Sequence, residues 1–171
     1  MAETRDDYES APRSRTYTWD DPMPSAEAGR RLSGIEYLRG FLDGTFPSAP
    51  MAQTLDMRFI EVEEGRAVFE CEPDEYHYNP IGVVHGGLAA TLLDSAMGCA
   101  VQSRLPDGTG YTTLEIKVNY LRALTSTTGT VRAEGRVIKV GGRVAIAEGR
   151  ITDAVGNLYA HGTTTCLILR P

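Results

Sequence analysis

Asn79-Pro80-Ile81-Gly82-Val83-Val84-His85-Gly86-Gly87-Leu88-Ala89-Ala90-Thr91-Leu92-Leu93-Asp94-Ser95-Ala96-Met97-Gly98-Cys99-Ala100-Val101 is the stretch on which the fold turns. Its first residues are turn formers and a polar amide, and from Leu88 it is almost wholly apolar apart from Asp94. That order predicts a loop feeding a buried helix from about His85 to Arg104, stopped by Pro106-Asp107-Gly108. An acid in the middle of an apolar helix costs desolvation energy, so it needs either a structural partner or a chemical role. Gly86 and Gly87 allow close approach to the backbone, and the free amides of a first helical turn suit a developing oxyanion. The same Gly-Gly would also let the helix start against a crowded strand, and the residues alone leave both readings open.

Working outward, the period changes from helical to two on either side of this stretch. Residues 55–62 and 66–72 read as strands joined at the Glu64-Gly65 turn. After the helix, 111–121, 130–140, 143–152 and 157–169 read as further strands, with Gly141-Gly142 and Asp153-Ala154-Val155-Gly156 as turns. In the first of these, Leu114, Ile116, Val118 and Tyr120 alternate with Thr113, Glu115, Lys117 and Asn119. Gly135 and Gly149 inside strands suggest bulges that curve the sheet. Short hairpins around one long apolar helix imply an α+β fold, in which a curved antiparallel sheet of five to six strands wraps that helix.

Toward the N-terminus, residues 1–25 are polar and contain Pro12, Pro22 and Pro24, a composition that predicts a flexible tail able to dock at the end of the fold. Residues 26–50 carry Leu32, Ile35, Leu38, Phe41 and Leu42 at helical spacing, with Ser25 as the expected cap and Gly44 and Pro47 as stops. This extra amphipathic helix is expected to cover an edge or opening of the domain that occupies 51–171.

Composition narrows the function. A net charge of -6 with scattered Lys and Arg gives no global attraction to nucleic acid or an anionic membrane. Cys71, Cys99 and Cys166 form no CxxC pair and read as buried thiols, and no two histidines share a ligand spacing, so no metal is expected. The first residues lack the apolar core of a signal peptide, which favours a soluble cytoplasmic protein. Walker, GxGxxG, GxSxG and HExxH motifs are absent from the sequence.

Helical geometry constrains the chemistry further. Gly86 and Asp94 are eight residues apart, hence about 12 Å along the axis and about 80° around it. One substrate carbonyl reaches both only if the amide comes from one copy of the chain and the carboxylate from another, which predicts an obligate homodimer with two equivalent sites.

The residues Asn79, Gly82, His85-Gly86-Gly87 and Asp94, followed by Gly110-Tyr111-Thr112-Thr113-Leu114-Glu115-Ile116-Lys117-Val118-Asn119-Tyr120-Leu121-Arg122, resemble the hotdog-fold acyl-CoA thioesterases of the PaaI and 4-hydroxybenzoyl-CoA thioesterase type. The resemblance covers roughly residues 50–170 and implies a hotdog fold and hydrolysis of an acyl-CoA to free acid and CoA. It implies that Asp94 activates water or attacks the thioester, that the Gly86 amide polarises the carbonyl, and that Asn79 and Thr113 help to bind it or to orient water. His85, Gly87 and Thr112 are implied as substrate contacts. Coenzyme A enters as part of the substrate, without a separate cofactor, and dimers that pair into tetramers are compatible with it. The chain departs from the family in having Asp where one branch has Glu, and in its extension of about 50 residues. A non-catalytic acyl-CoA-binding module is the alternative of a different class, and the retained Asp94 weighs against it. A hotdog dehydratase is disfavoured by the placement of Asp94 nine residues after His85. Arg122, Arg136 and Arg143 are the cations within reach of coenzyme A phosphates, and solvated strand arginines are their plainer reading. His77 and His161 read as packed loop and sheet residues.

Overall fold

The computed structural model describes residues 11–170, so the first ten residues of the expected tail lie outside the described part. Three short helices, α1 (Met23–Gly29), α2 (Gly34–Leu42) and α3 (Pro50–Leu55), precede the strands β1 (Met57–Glu63) and β2 (Arg66–Cys71). The long helix α4 (Gly86–Gln102) follows, then β3 (Gly110–Tyr120), β4 (Val131–Val140), β5 (Val144–Asp153) and β6 (Leu158–Leu169). The six strands form one antiparallel sheet in the order β1-β2-β4-β5-β6-β3, wrapped around α4. The expected architecture is present with its upper strand count.

The core is the interface between α4 and the concave face of the sheet. Leu88, Leu92, Leu93, Ala96, Met97 and Val101 are buried against Phe69, Val131, Ala133, Ala147, Ile151 and Cys166. Gly135 and Gly149 work differently from the sequence-based expectation. They pair with each other in unbroken register, and Gly149 pairs with Gly162, so a row of glycines crosses β4, β5 and β6. A Cβ on Gly135 would lie 2.3 Å from the Ala96 carbonyl group, one on Gly149 would press on Leu93 and Met97, and one on Gly162 would press on Leu93 and the Lys117 carbonyl oxygen. The row admits the helix to the sheet, whereas the register shifts fall elsewhere, at Ile60, Leu114, Ile138 and Tyr159.

Two further expectations are revised. The single amphipathic helix expected over 26–50 is split into α1 and α2, and Ser33, not Ser25, is the cap. The Ser33 hydroxyl accepts from the Glu36 N–H while the Glu36 carboxylate accepts from the Ser33 N–H, a reciprocal box that favours starting a new helix at Gly34. Ser25 is inside α1, its hydroxyl donating to the Pro22 carbonyl. The segment ahead of α1 docks through Arg15, which donates to the Thr54 and Gln53 carbonyls at the end of α3 and stacks on the Tyr76 ring. A cation at a helix C-terminus complements the dipole there.

The sheet covers only one side of α4. Ala90, Thr91, Asp94, Ser95, Cys99 and Gln102 occupy the other side and are half-buried, so Asp94 is not sealed in the core as the apolar run suggested. At the sheet margins, β1 and β3 are the edge strands, and the eleven residues of β3 have no strand neighbour on their outer side among the described residues.

Candidate active site

The loop ahead of α4 is closed on itself. The Asn79 N–H donates to the Val83 carbonyl, and the Asn79 side-chain oxygen accepts from the Ile81 N–H at 3.0 Å. This turn delivers His85 to the N-cap of α4, and the His85 N–H donates to the His77 carbonyl at 2.7 Å. The His85 Nδ1 then accepts from the Gly87 N–H at 2.8 Å, which puts the proton of the neutral ring on Nε2. The consequence is selective: His85 occupies the Gly87 amide, while the Gly86 N–H donates to no atom among the described residues. The Asn79 amide nitrogen likewise makes no hydrogen bond among them.

Gly86 lines a cavity of about 340 Å³ shared with His85, Tyr120, Arg122 and Tyr159. The Tyr120 ring sits over Gly86, 3.1 Å from where a Cβ would be, so any side chain at 86 would crowd this approach. The Arg122 guanidinium lies 5.6 Å from the Tyr159 ring centre at the same cavity. Gly87 faces a different cavity, of about 360 Å³, with Tyr76, His77, Tyr78 and Thr91.

Two turns along α4, the Thr113 hydroxyl donates to Asp94 Oδ1 at 2.9 Å. Simple alternation would place Thr113 on the face opposite Ile116 and Val118. The shift at Leu114, where Thr113 pairs with Cys166 and Glu115 with Thr165, reverses the parity and turns Thr113 toward the helix. Leu114 itself is left 57% exposed. Thr112, as the adjacent residue, belongs to the other face and is exposed, so it does not join Asp94 and Thr113.

Beyond Asp94, the Tyr111 ring packs on Gly98, whose added Cβ would overlap the Tyr111 hydroxyl. Burial pushes the Cys99 thiol up to about 12, and the Asp94 charge adds to the rise. Burial, the neighbouring thiols and Asp94 also hold the Tyr111 phenol well above its ordinary range. Neither group is a ready nucleophile. Tyr111, Tyr120 and Tyr159 carry no signal in the sequence that marks them as site residues. Tyr111 and Tyr120 lie in the quoted β3 stretch, but their meeting with α4 is a tertiary fact.

His77 is buried, with Nδ1 accepting from the Asp74 N–H at 3.1 Å and Nε2 3.0 Å from the Leu55 carbonyl, and so pins the turn between β2 and α4. His161 lies 3.9 Å from Glu148 on the outer face of the sheet. Arg136 pairs with Glu134 at 2.7 Å, within a network that includes Arg66, Glu61, Arg132 and Glu70. Arg143 is exposed. No group of three or more His, Cys, Asp or Glu side chains that could hold a metal occurs among the described residues. No described helix is long and apolar enough to cross a membrane.

Residues 81–160, from the loop ahead of α4 to the start of β6, match the family model described as the thioesterase superfamily. A 1,4-dihydroxy-2-naphthoyl-CoA hydrolase of Listeria monocytogenes is 31% identical over 119 residues, spanning 69% of this chain and 94% of that one. The chain belongs to the thioesterase superfamily. Its structure is similar to that of a phenylacetic acid degradation-related protein of Ralstonia eutropha JMP134, at 28% identity and a TM-score of 0.69, covering 77% of this chain and 98% of that one. The phenylacetic acid degradation protein PaaI of Thermus thermophilus is similar at 27% identity and a TM-score of 0.63, covering 72% and 100%. The fold is thus the hotdog fold of the PaaI-like thioesterases, and the protein is a thioester hydrolase. These relatives match almost whole, while about a quarter of this chain has no counterpart in them.

Proposed function

We propose that the protein hydrolyses an acyl-CoA to free acid and CoA at two equivalent sites of a homodimer, each built from the Asp94 of one copy and the Gly86 amide of the other. The observation that carries this reading is a separation within one chain. The unpartnered Gly86 N–H opens on a cavity to which Asp94 does not contribute, whereas Asp94 lies two turns away on the half-exposed side of the same helix. A second copy seated against that side and against the free β3 edge supplies what each half lacks.

In the assembled site the thioester oxygen accepts from the Gly86 N–H and the Asn79 amide. Thr113 holds Asp94 Oδ1, and the other carboxylate oxygen takes a proton from water as the water attacks the carbonyl carbon. The tetrahedral oxyanion is held by the Gly86 amide, an electrostatic contribution on the order of a hundredfold in rate. Its collapse breaks the C–S bond, and the leaving CoA thiolate takes up the proton that Asp94 received from water, which restores the carboxylate. Direct attack by Asp94 would instead expel the CoA thiolate and form a mixed anhydride, and label found in Asp94 after a single turnover in labelled water would identify that route. Arg122, which lines the Gly86 cavity, is the arginine we assign to a coenzyme A phosphate.

Two variants test the shared site. Asp94→Ala removes the base, and Gly86→Pro removes the amide proton at the first helical position, where proline is tolerated; His85 is already extended at φ -62 and ψ 133, as a residue before proline prefers. Each variant alone is expected to release little thiol from any acyl-CoA. Mixed in equal parts and allowed to exchange subunits, they should recover about a quarter of wild-type activity, because half the dimers then carry one intact site. No recovery despite exchange, or a fully active monomer, refutes the two-copy site.

A further inference from the structure

A further cavity lies beyond Asp94, and two of the helices that build it, α2 and α3, are outside the segment that matches the thioesterase family. It has a volume of about 420 Å³, is partly open to solvent, and is bounded by α2, α3, α4, β1, β2 and the start of β3. Its walls are aromatic. Tyr37 and Phe41 of α2 form one side, their rings 5.0 Å apart and backed by Phe46, and the stacked pair Phe59 and Phe69 forms another at 4.8 Å. Tyr111 supplies the wall nearest the carboxylate. Among the described residues no acidic side chain lines it, and the one charged residue there, Arg30, is exposed.

Asp94 and Thr113 do not themselves line the chamber, but two residues that do, Cys99 and Tyr111, are their neighbours on α4 and β3. Tyr111 precedes Thr113 by two residues on the same strand, so their side chains leave the same face about 7 Å apart. Thr113 holds Asp94, while Tyr111 rests on Gly98, one helical turn after Asp94, and Cys99 opens into the chamber. From Asp94 the chamber lies toward the C-terminal end of α4, past the Tyr111 ring that rests on Gly98. The helix that closes its far end is fixed in place: the Gly34 N–H donates to the Leu105 carbonyl at 2.9 Å, and Gly34 abuts the Gln102 carbonyl so closely that a Cβ would overlap it.

We propose that α2 and α3 form the end wall of an acyl-binding chamber and set the chain length of the substrate, with Tyr37, Phe41 and Ala52 as the specificity-determining residues and a medium-length, uncharged acyl group as the occupant. This rests on the hydrolase reading above. At roughly 30 Å³ per water-sized group, 420 Å³ holds on the order of ten carbons once packing gaps are allowed for. A terminal carboxylate would be stripped of water against aromatic walls, which disfavours diacid-derived substrates. In the two-copy site, the chamber belongs to the copy that supplies Asp94 and the coenzyme A lies toward its partner.

The test compares saturated acyl-CoAs from acetyl to palmitoyl with wild type, Ala52→Phe, which fills the chamber, and Tyr37→Leu, which enlarges it. Wild type should prefer octanoyl to dodecanoyl chains. Ala52→Phe should lower the decanoyl-to-butyryl ratio of kcat/KM about tenfold, the scale at which a pocket discriminates single methylenes, and Tyr37→Leu should move the optimum to longer chains. In parallel, the same esters are titrated calorimetrically into Asp94→Asn, where affinity should rise with chain length to about decanoyl and then level off or fall. Turnover with the same length profile in all three proteins, or binding to Asp94→Asn that ignores chain length, overturns the chamber. Absence of wild-type turnover on every ester refutes the hydrolase reading, and the titration still decides the chamber.

Discussion

Replacing Gly135 by alanine tests whether the glycine row is what lets the sheet close on α4. The new methyl would lie 2.3 Å from both the carbon and the oxygen of the Ala96 carbonyl and 2.5 Å from the Met97 nitrogen. Ordinary heavy-atom contact is roughly 3.5 Å, so α4 or β4 has to move by about 1 Å. These are backbone atoms in the middle of a helix and a central strand, with no rotamer to change. Alanine gains about 0.4–1 kcal/mol by restricting the unfolded chain, and overpacking against rigid neighbours costs about 3 kcal/mol. The expected net loss is therefore about 2–3 kcal/mol. Gly149→Ala is the milder comparison, because its methyl meets the side chains of Leu93 and Met97 at 3.0 Å, which can give by a few tenths of an ångström, and the Glu134 carbonyl oxygen at 3.2 Å, against 2.3 Å to backbone at Gly135. It should lose about 1 kcal/mol or less. Urea unfolding followed by far-UV circular dichroism measures both, with the midpoint shift read at constant slope. Equal losses at the two positions, or a near-neutral Gly135→Ala, would refute the account of the row as a backbone contact.

Thr113→Val keeps the shape of the side chain but removes the donor to Asp94 Oδ1. A hydrogen bond to a charged group contributes about 1.5–3 kcal/mol, so kcat should fall about ten- to hundredfold, with Thr113→Ser restoring most of it in steady-state thiol-release assays. Ser33→Ala removes the acceptor of the α2 capping box and should cost about 1 kcal/mol in thermal or urea unfolding. Burial holds the His77 pKa below its ordinary value, with the Leu55 carbonyl opposing that shift. The folded state therefore binds this proton less readily than the unfolded chain. His77 stabilises fully above the unfolded value of about 6.5, and that contribution falls as the pH drops from there toward the lowered folded value. In His77→Gln, unfolding free energies measured across that acidic window should lack this part of the slope, and an unchanged slope would exclude His77 as its source.

Much of the architecture is legible in the sequence because it rests on local regularities. The strand periods, the Gly65 and Gly156 turns and the helix that starts after His85 each follow from residues near one another in the chain, and all are found within a residue or two of expectation. The His85-Gly86-Gly87 and Asp94 spacing also shows, without coordinates, that the two groups are too far apart to share a carbonyl within one chain. The split of the N-terminal helix was locally readable too, since Ser33 and Glu36 have the capping-box spacing, but the apolar period running through Leu32 obscured it.

Tertiary structure decided the rest. Only the pairing of β3 with β6 reveals the shift at Leu114 that turns Thr113 onto Asp94, because a parity change leaves little trace in a strand's own alternation. That Gly135 serves close approach and not a bulge depends on where α4 crosses β4. The half-exposed setting of Asp94 follows from a sheet that covers one side of its helix, which composition cannot distinguish from covering both. The aromatic chamber brings Tyr37 within one cavity with Cys99 and Tyr111. Sequence determines which faces are apolar and how they repeat; which face meets which is settled only when distant segments pack, and the proposed acyl chamber is a product of that packing.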